Sequence, residues 1–180
     1  MNKRLFVAID PPAEIREQLA AISCGLPDAR WTPPEQLHLT LCFIGEVSGA
    51  AFLDIKEGLD DIKTPPFTLQ LQGVGFFPPR GQPRVVWAGI AKNEQLAILQ
   101  RKITTRLFAL GFEPENRKFA PHITLARLNQ TPPSRVGKYL ETQGLLQSTP
   151  FVVENFLLYE SILGHRGATH LVAQAYRLEE

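Results

Sequence analysis

The 180-residue chain predicts an α+β fold built from two pseudo-symmetric lobes of mainly antiparallel sheet, with outer helices around a central cleft. Three observations carry this reading. Short apolar strands alternate with amphipathic helical stretches, the order of elements restarts near residue 84, and a His-x-Thr-x tetrapeptide stands at corresponding points of the two halves. The size and an apolar content of 44% suit one domain with one core and exclude a disordered or fibrous chain.

Residues 4–10 (RLFVAID) read as a buried strand. Asp10 is then expected as an N-cap and Pro11 as the first residue of a helix carrying Ile15, Leu19 and Ile22 at helical spacing. Strand 37–44 follows, then a helix around 50–62 with Phe52, Ile55, Leu59 and Ile62 on one stripe, then strand 67–77. The series restarts with strand 84–90 and helix 94–110, whose stripe is Leu96, Leu99, Ile103, Leu107 and Leu110 and whose stop is Gly111. Strand 121–128, helix 134–143, strand 151–160 and a closing strand 170–178 complete it. Counterpart elements lie 80 to 84 positions apart, so the chain reads as one domain of two repeats, 4–77 and 84–160, with their sheets facing across the cleft.

Nineteen basic and 18 acidic residues leave a net charge of +1, which does not advertise a nucleic-acid coat or a membrane-binding surface. Any anion must therefore be bound locally. No apolar run is long enough to span a bilayer, and MNKRLFVAID lacks a signal-peptide pattern. Two cysteines, Cys24 and Cys42, are too few for a disulfide framework or a thiolate metal site, so a cytoplasmic location is expected.

Of four histidines, His38 and His122 open the tetrapeptides His38-Leu39-Thr40-Leu41 and His122-Ile123-Thr124-Leu125. Threonine occupies 11 of 180 positions, so two such matches are roughly a 2% coincidence even before their placement is counted. Strand alternation turns His38 with Thr40, and His122 with Thr124, away from the core that takes the intervening residues. Two imidazoles and two hydroxyls converging across a cleft suit a phosphoryl group. The hydroxyls donate to nonbridging oxygens, and one neutral and one protonated imidazole serve the attacking and leaving oxygens without a metal. A metal site fits poorly, because neither motif carries the extra carboxylate or second histidine it needs. His165 reads as a loop residue and His170 as an ordinary strand residue, while Phe43 and Phe119 read as core.

These residues, together with RLFVAIDPPAEI, LHLTLCFIGEV, RVVWAGI, FAPHITLARL and YESIL, give a sequence that resembles the two-histidine phosphoesterases over nearly its whole length. The branch it is most similar to is the bacterial RNA 2′,3′-cyclic phosphodiesterases, also described as 2′–5′ RNA ligases. The resemblance implies hydrolysis of a terminal 2′,3′-cyclic phosphate to the 2′-phosphomonoester, with His38 as proton donor, His122 as proton acceptor, and Thr40, Thr124 and Arg127 binding the phosphate. It also implies a reverse ATP-independent 2′–5′ ligation, no cofactor, and as partner an RNA or oligonucleotide with a cyclic end, tRNA fragments included. A monomer is expected. Arg127 shares the strand parity of the core residues Ile123 and Leu125, so it reaches the cleft only if the strand bends or ends. Two other readings stay open: a phosphodiesterase for another cyclic or 2′–5′-linked nucleotide, and a nonenzymatic RNA- or nucleotide-binding module.

Overall fold

The computed structural model describes residues 1–114 and 117–180. In chain order the elements are β1 (Lys3–Ile9), α1 (Ala13–Ala21), β2 (Ala29–Trp31), a 3-10 turn (Pro34–Gln36), β3 (Leu39–Val47), α2 (Gly49–Leu59), β4 (Phe67–Leu69), β5 (Leu71–Phe77), β6 (Val85–Ile90), α3 (Glu94–Ala109), β7 (His122–Leu128), α4 (Pro133–Gln143), β8 (Phe151–Val153), β9 (Asn155–Gly164) and β10 (Gly167–Arg177). Helix ends follow the local chemistry of the sequence. The Asn93 side chain accepts from the Leu96 N–H at 2.9 Å to start α3, and Gly111 adopts φ +93° just beyond its end. Ser48 caps α2 through the Ala51 N–H at 3.1 Å.

Two local expectations are corrected. Helix α1 begins at Ala13 after Pro12, and Asp10 caps nothing: its carboxylate accepts the Tyr159 hydroxyl at 2.6 Å and pairs with Arg16 at 3.2 Å. A partner 149 residues away outcompetes the local cap. The strands expected at 67–77 and 151–160 each break, at Gln70 and Glu154, and the freed ends β4 and β8 pair as a small second sheet.

The main sheet has the order β10-β9-β1-β3-β7-β6-β5, with β2 added beside β7. Two facing sheets were expected; instead the halves join edge to edge, β3 against β7, with Leu39 opposite Ile123. The small sheet sets Thr68 opposite Val152. In both places the facing residues are 84 positions apart, which is what a local twofold axis between repeats of that spacing produces.

Each face of the sheet has its own packing. Ile15 and Leu19 of α1, Ile55 and Leu59 of α2, Leu96, Leu99, Ile103 and Leu107 of α3, and Val136 and Tyr139 of α4 all join one core with Leu39, Leu41, Ile123 and Leu125. Each such side chain contributes about 1.5–3 kcal/mol by leaving water. The other face carries no helix and has only a small cluster of Phe6, Ala8, Leu157 and Tyr159. The motif residues lie on this open face. Among the described residues no helix is long and apolar enough to cross a membrane.

Candidate active site

His38 immediately precedes β3 and His122 opens β7. Because Leu39 faces Ile123 and both are buried in the helix-covered core, alternation sends His38, Thr40, His122 and Thr124 to the open face. Counting one residue either way along the antiparallel register sets His38 opposite Thr124 and His122 opposite Thr40. Neither threonine hydroxyl is engaged by another described residue.

The two imidazoles are held alike. Nδ1–H of His38 donates to the Gln36 carbonyl at 2.7 Å, and Nδ1–H of His122 donates to the Ala120 carbonyl at 2.7 Å. A carbonyl oxygen only accepts, so Nδ1 must carry the proton in both rings. Nε2 of each is thereby left as the atom that gains or loses a proton.

Their surroundings differ. His38 is half-buried among rings: Phe6 at 5.1 Å between centroids, His170 edge-on at 5.5 Å, and Tyr159 at 6.3 Å. Burial disfavours the imidazolium and is the main reason that the His38 pKa lies below 6.5; the Gln36 carbonyl and Asp10 oppose it, while His170 and Arg16 add to it. Burial also lowers the pKa of His170 and raises that of the Tyr159 hydroxyl, which the Asp10 carboxylate raises further. His122 packs against Phe77 at 5.1 Å and Trp87 at 6.0 Å. Gly75 is needed there, because a Cβ at that position would meet the Trp87 ring at 2.3 Å.

An NMR titration of the free protein is therefore expected to show the His38 ring protonating with a midpoint below 6.5; a midpoint above that value would contradict the environment described. Both His38 and His170 favour the neutral form in the folded state, so the unfolded chain binds more protons below pH 6.5 and the urea midpoint falls as the pH drops from 7 towards 5. Replacing His170 with Phe keeps the ring and removes its charge, which moves the His38 midpoint upward.

The strand-parity objection to Arg127 is resolved by a bulge. Against β6, Val86 faces Ala126 and Trp87 faces Thr124, so Leu125 is the extra residue. Leu125 and Ala126 both enter the core at 0% exposure, and Arg127 emerges exposed on the same face as Thr124. The counterpart bulge lies in β3. Val7 faces Cys42 and Ala8 faces Thr40, which makes Leu41 the extra residue and turns Phe43 outward.

Phe43 was read as core and is instead 53% exposed, 5.9 Å from Phe6. It and Arg127 are 84 positions apart, one at each end of the two motifs. Phe119 does pack against the core, and His165 lies exposed in the turn between β9 and β10. His170, read as an ordinary strand residue, borders His38 and carries a buried Nδ1 with no partner among the described residues. No sequence signal marked it, because its proximity depends on the β9–β10 hairpin folding back on β1.

A sheet that sets two His-x-Thr pairs opposite each other on its helix-free face defines a two-histidine protein. The family model for LigT like Phosphoesterase matches residues 9–87 and 89–169, and the chain belongs to that family. It is similar to the RNA 2′,3′-cyclic phosphodiesterase of Archaeoglobus fulgidus, with 36% identity over 91% of this chain and 94% of the relative. The Methanocaldococcus jannaschii protein of the same name is 30% identical over 96% of this chain and 99% of its own. Among solved structures, E. coli LigT complexed with 3′-AMP superposes with a TM-score of 0.81 at 30% identity, covering both chains fully.

Proposed function

We propose that the protein is an RNA 2′,3′-cyclic phosphodiesterase that uses His38 and His122 as its acid and base. The observation that carries this reading is the matched anchoring of the rings, each with Nδ1–H tied to a carbonyl two residues back and Nε2 left for chemistry. The relatives' shared name supports the substrate class. The facing pairs 84 positions apart support reading the chain as one domain of two repeats, 4–77 and 84–160, closed by 170–178.

In the hydrolytic step a water oxygen attacks phosphorus while His122 Nε2 takes its proton. The P–O3′ bond breaks, and His38, charged in the complex because the bound phosphate favours the imidazolium that burial disfavours in the free protein, gives its Nε2 proton to the departing 3′ oxygen, which leaves a 2′-phosphomonoester and a 3′-hydroxyl. One proton enters the pair and one leaves it, so passing the proton back from His122 to His38 through solvent resets the site. Thr40 and Thr124 hydroxyls donate to the two nonbridging oxygens, and Arg127 offsets their charge. The acid and base roles follow the family resemblance. The same two groups run backwards when a 5′-hydroxyl replaces water, giving a 2′–5′ linkage without ATP. Water, being far more concentrated, makes hydrolysis the dominant direction. The exposed Phe43 ring offers a face on which a base can stack. The protein acts in the cytoplasm as a monomer, on RNA ends such as those of tRNA fragments, with no cofactor.

Incubating the protein with a 2′,3′-cyclic oligonucleotide in EDTA and separating the products tests this reading. The 2′-phosphomonoester alone is expected; the 3′ isomer, a mixture, or no turnover would contradict it. Arg127→Ala is expected to lower kcat/KM about 10- to 100-fold, the range for a charge-assisted hydrogen bond, with the fold unchanged.

A further inference from the structure

We propose that Arg30, standing beside Arg127 on the open face, is an anion site for the backbone phosphate preceding the cyclic end, with Arg127 between the two phosphates, so that the preferred substrate is the end of an RNA strand and not a cyclic mononucleotide. This rests on the phosphodiesterase reading and extends it to the upstream nucleotide.

The short strand β2 pairs with the end of β7, where Arg30 stands directly opposite Arg127. Its neighbours Ala29 and Trp31 pack on the helix-covered core, so alternation puts Arg30 on the open face. The two arginines are thus direct cross-strand neighbours, and like charges so placed are destabilising without an anion to offset them. Among the described residues neither has a carboxylate partner, since the four ion pairs involve Lys3, Arg16, Lys63 and Arg106. In a chain with a net charge of +1, an unneutralised pair of this kind is a local choice.

Arg30 is also anchored. Arg30 Nη2 donates to the Arg166 carbonyl at 2.7 Å, which anchors one edge of the guanidinium on the β9–β10 turn and leaves its remaining N–H groups unused. Gly167 follows in the same turn with a φ of +109°, which favours glycine, and a Cβ there would press on Nη2 at 2.5 Å and shift the guanidinium. Arg166 itself adds a third exposed cation to this corner.

The position fits a strand of nucleic acid. Along the open face of β7 the order is His122, Thr124, Arg127, with Arg30 beside Arg127, and the Leu125 bulge separates the motif from the arginines. Three residues of strand cover about 10 Å. With its chain running along β7, an RNA whose terminal phosphate lies at the histidines carries its preceding phosphate towards Arg30.

The test compares kcat/KM for a 2′,3′-cyclic dinucleotide with that for a 2′,3′-cyclic mononucleotide bearing a 5′-hydroxyl. The wild-type protein is expected to favour the dinucleotide, and Arg30→Ala to lower that ratio about tenfold, with Arg30→Lys recovering part of it. The dependence of log kcat/KM on log salt for the dinucleotide should become shallower by nearly one unit in Arg30→Ala. A ratio unchanged by Arg30→Ala, or a fall accompanied by a lower urea midpoint, would overturn the proposal in favour of a merely structural arginine. If the wild-type protein turns over neither substrate, the phosphodiesterase reading fails instead. Fluorescence anisotropy with a labelled dinucleotide ending in a 2′-phosphate then judges the anion site by itself: weaker binding by Arg30→Ala supports it, equal binding refutes it.

Discussion

Alanine at His122 is expected to lower kcat on a 2′,3′-cyclic substrate by about 10²- to 10⁴-fold, and alanine at His38 by a similar factor. In the proposed mechanism each imidazole serves one oxygen, so without His122 the attacking water keeps its proton, and without His38 the 3′ oxygen departs as an alkoxide. The threonine hydroxyls and Arg127 that are proposed to hold the phosphate remain, so affinity for a 2′-phosphomonoester should change little. The double variant should be scarcely slower than either single one, because one imidazole without the other completes no turnover. Steady-state kinetics with a parallel binding measurement checks this. A variant that retains most of its kcat would remove that histidine from the chemistry.

The second large effect concerns the floor of the site. Phe6 is 3% exposed and has four rings around it: His170 at 5.0 Å, His38 and Tyr159 at 5.1 Å, and Phe43 at 5.9 Å. Phe6→Ala removes the centre of this cluster and is expected to cost about 3–5 kcal/mol, the range for a large aromatic core side chain. The loss should appear as a lower urea midpoint with an unchanged slope. His38 would keep its Gln36 anchor while losing the surface on which its ring rests, so kcat should also fall although both histidines are intact. Phe6→Leu, which refills much of the volume, should recover most of the stability and less of the rate, since a branched aliphatic side chain gives the imidazole no flat face. Full stability in Phe6→Ala would mean that the cluster contributes little to holding the site.

The parts of the site that the sequence revealed are those encoded by local repetition. His38-x-Thr40 and His122-x-Thr124 follow the two-residue period of a strand, and the surrounding leucines and isoleucines announce which side is core. The helices were equally legible from their stripes. What stayed hidden depends on register. A bulge adds one residue without changing composition, so the outward turn of Arg127 and Phe43 could not be read from alternating polarity, and strict parity assigned Arg127 to the wrong face. Arg30 lies on a three-residue strand too short to show a period, and His170 reaches His38 only through the pairing of β10, β9 and β1. The breaks at Gln70 and Glu154 were invisible for a similar reason: β4 and β8 are distant in sequence, and each is a strand because the other is there.

The central claim is that both imidazoles address one phosphate, and ¹⁵N NMR of the histidine rings during titration with a 2′-phosphorylated nucleoside tests it most directly. The Nε2 resonances of His38 and His122 are expected to shift together along one binding curve with a stoichiometry of one ligand per chain. A response from only one ring, or two separate curves, would show that the histidines do not share a ligand.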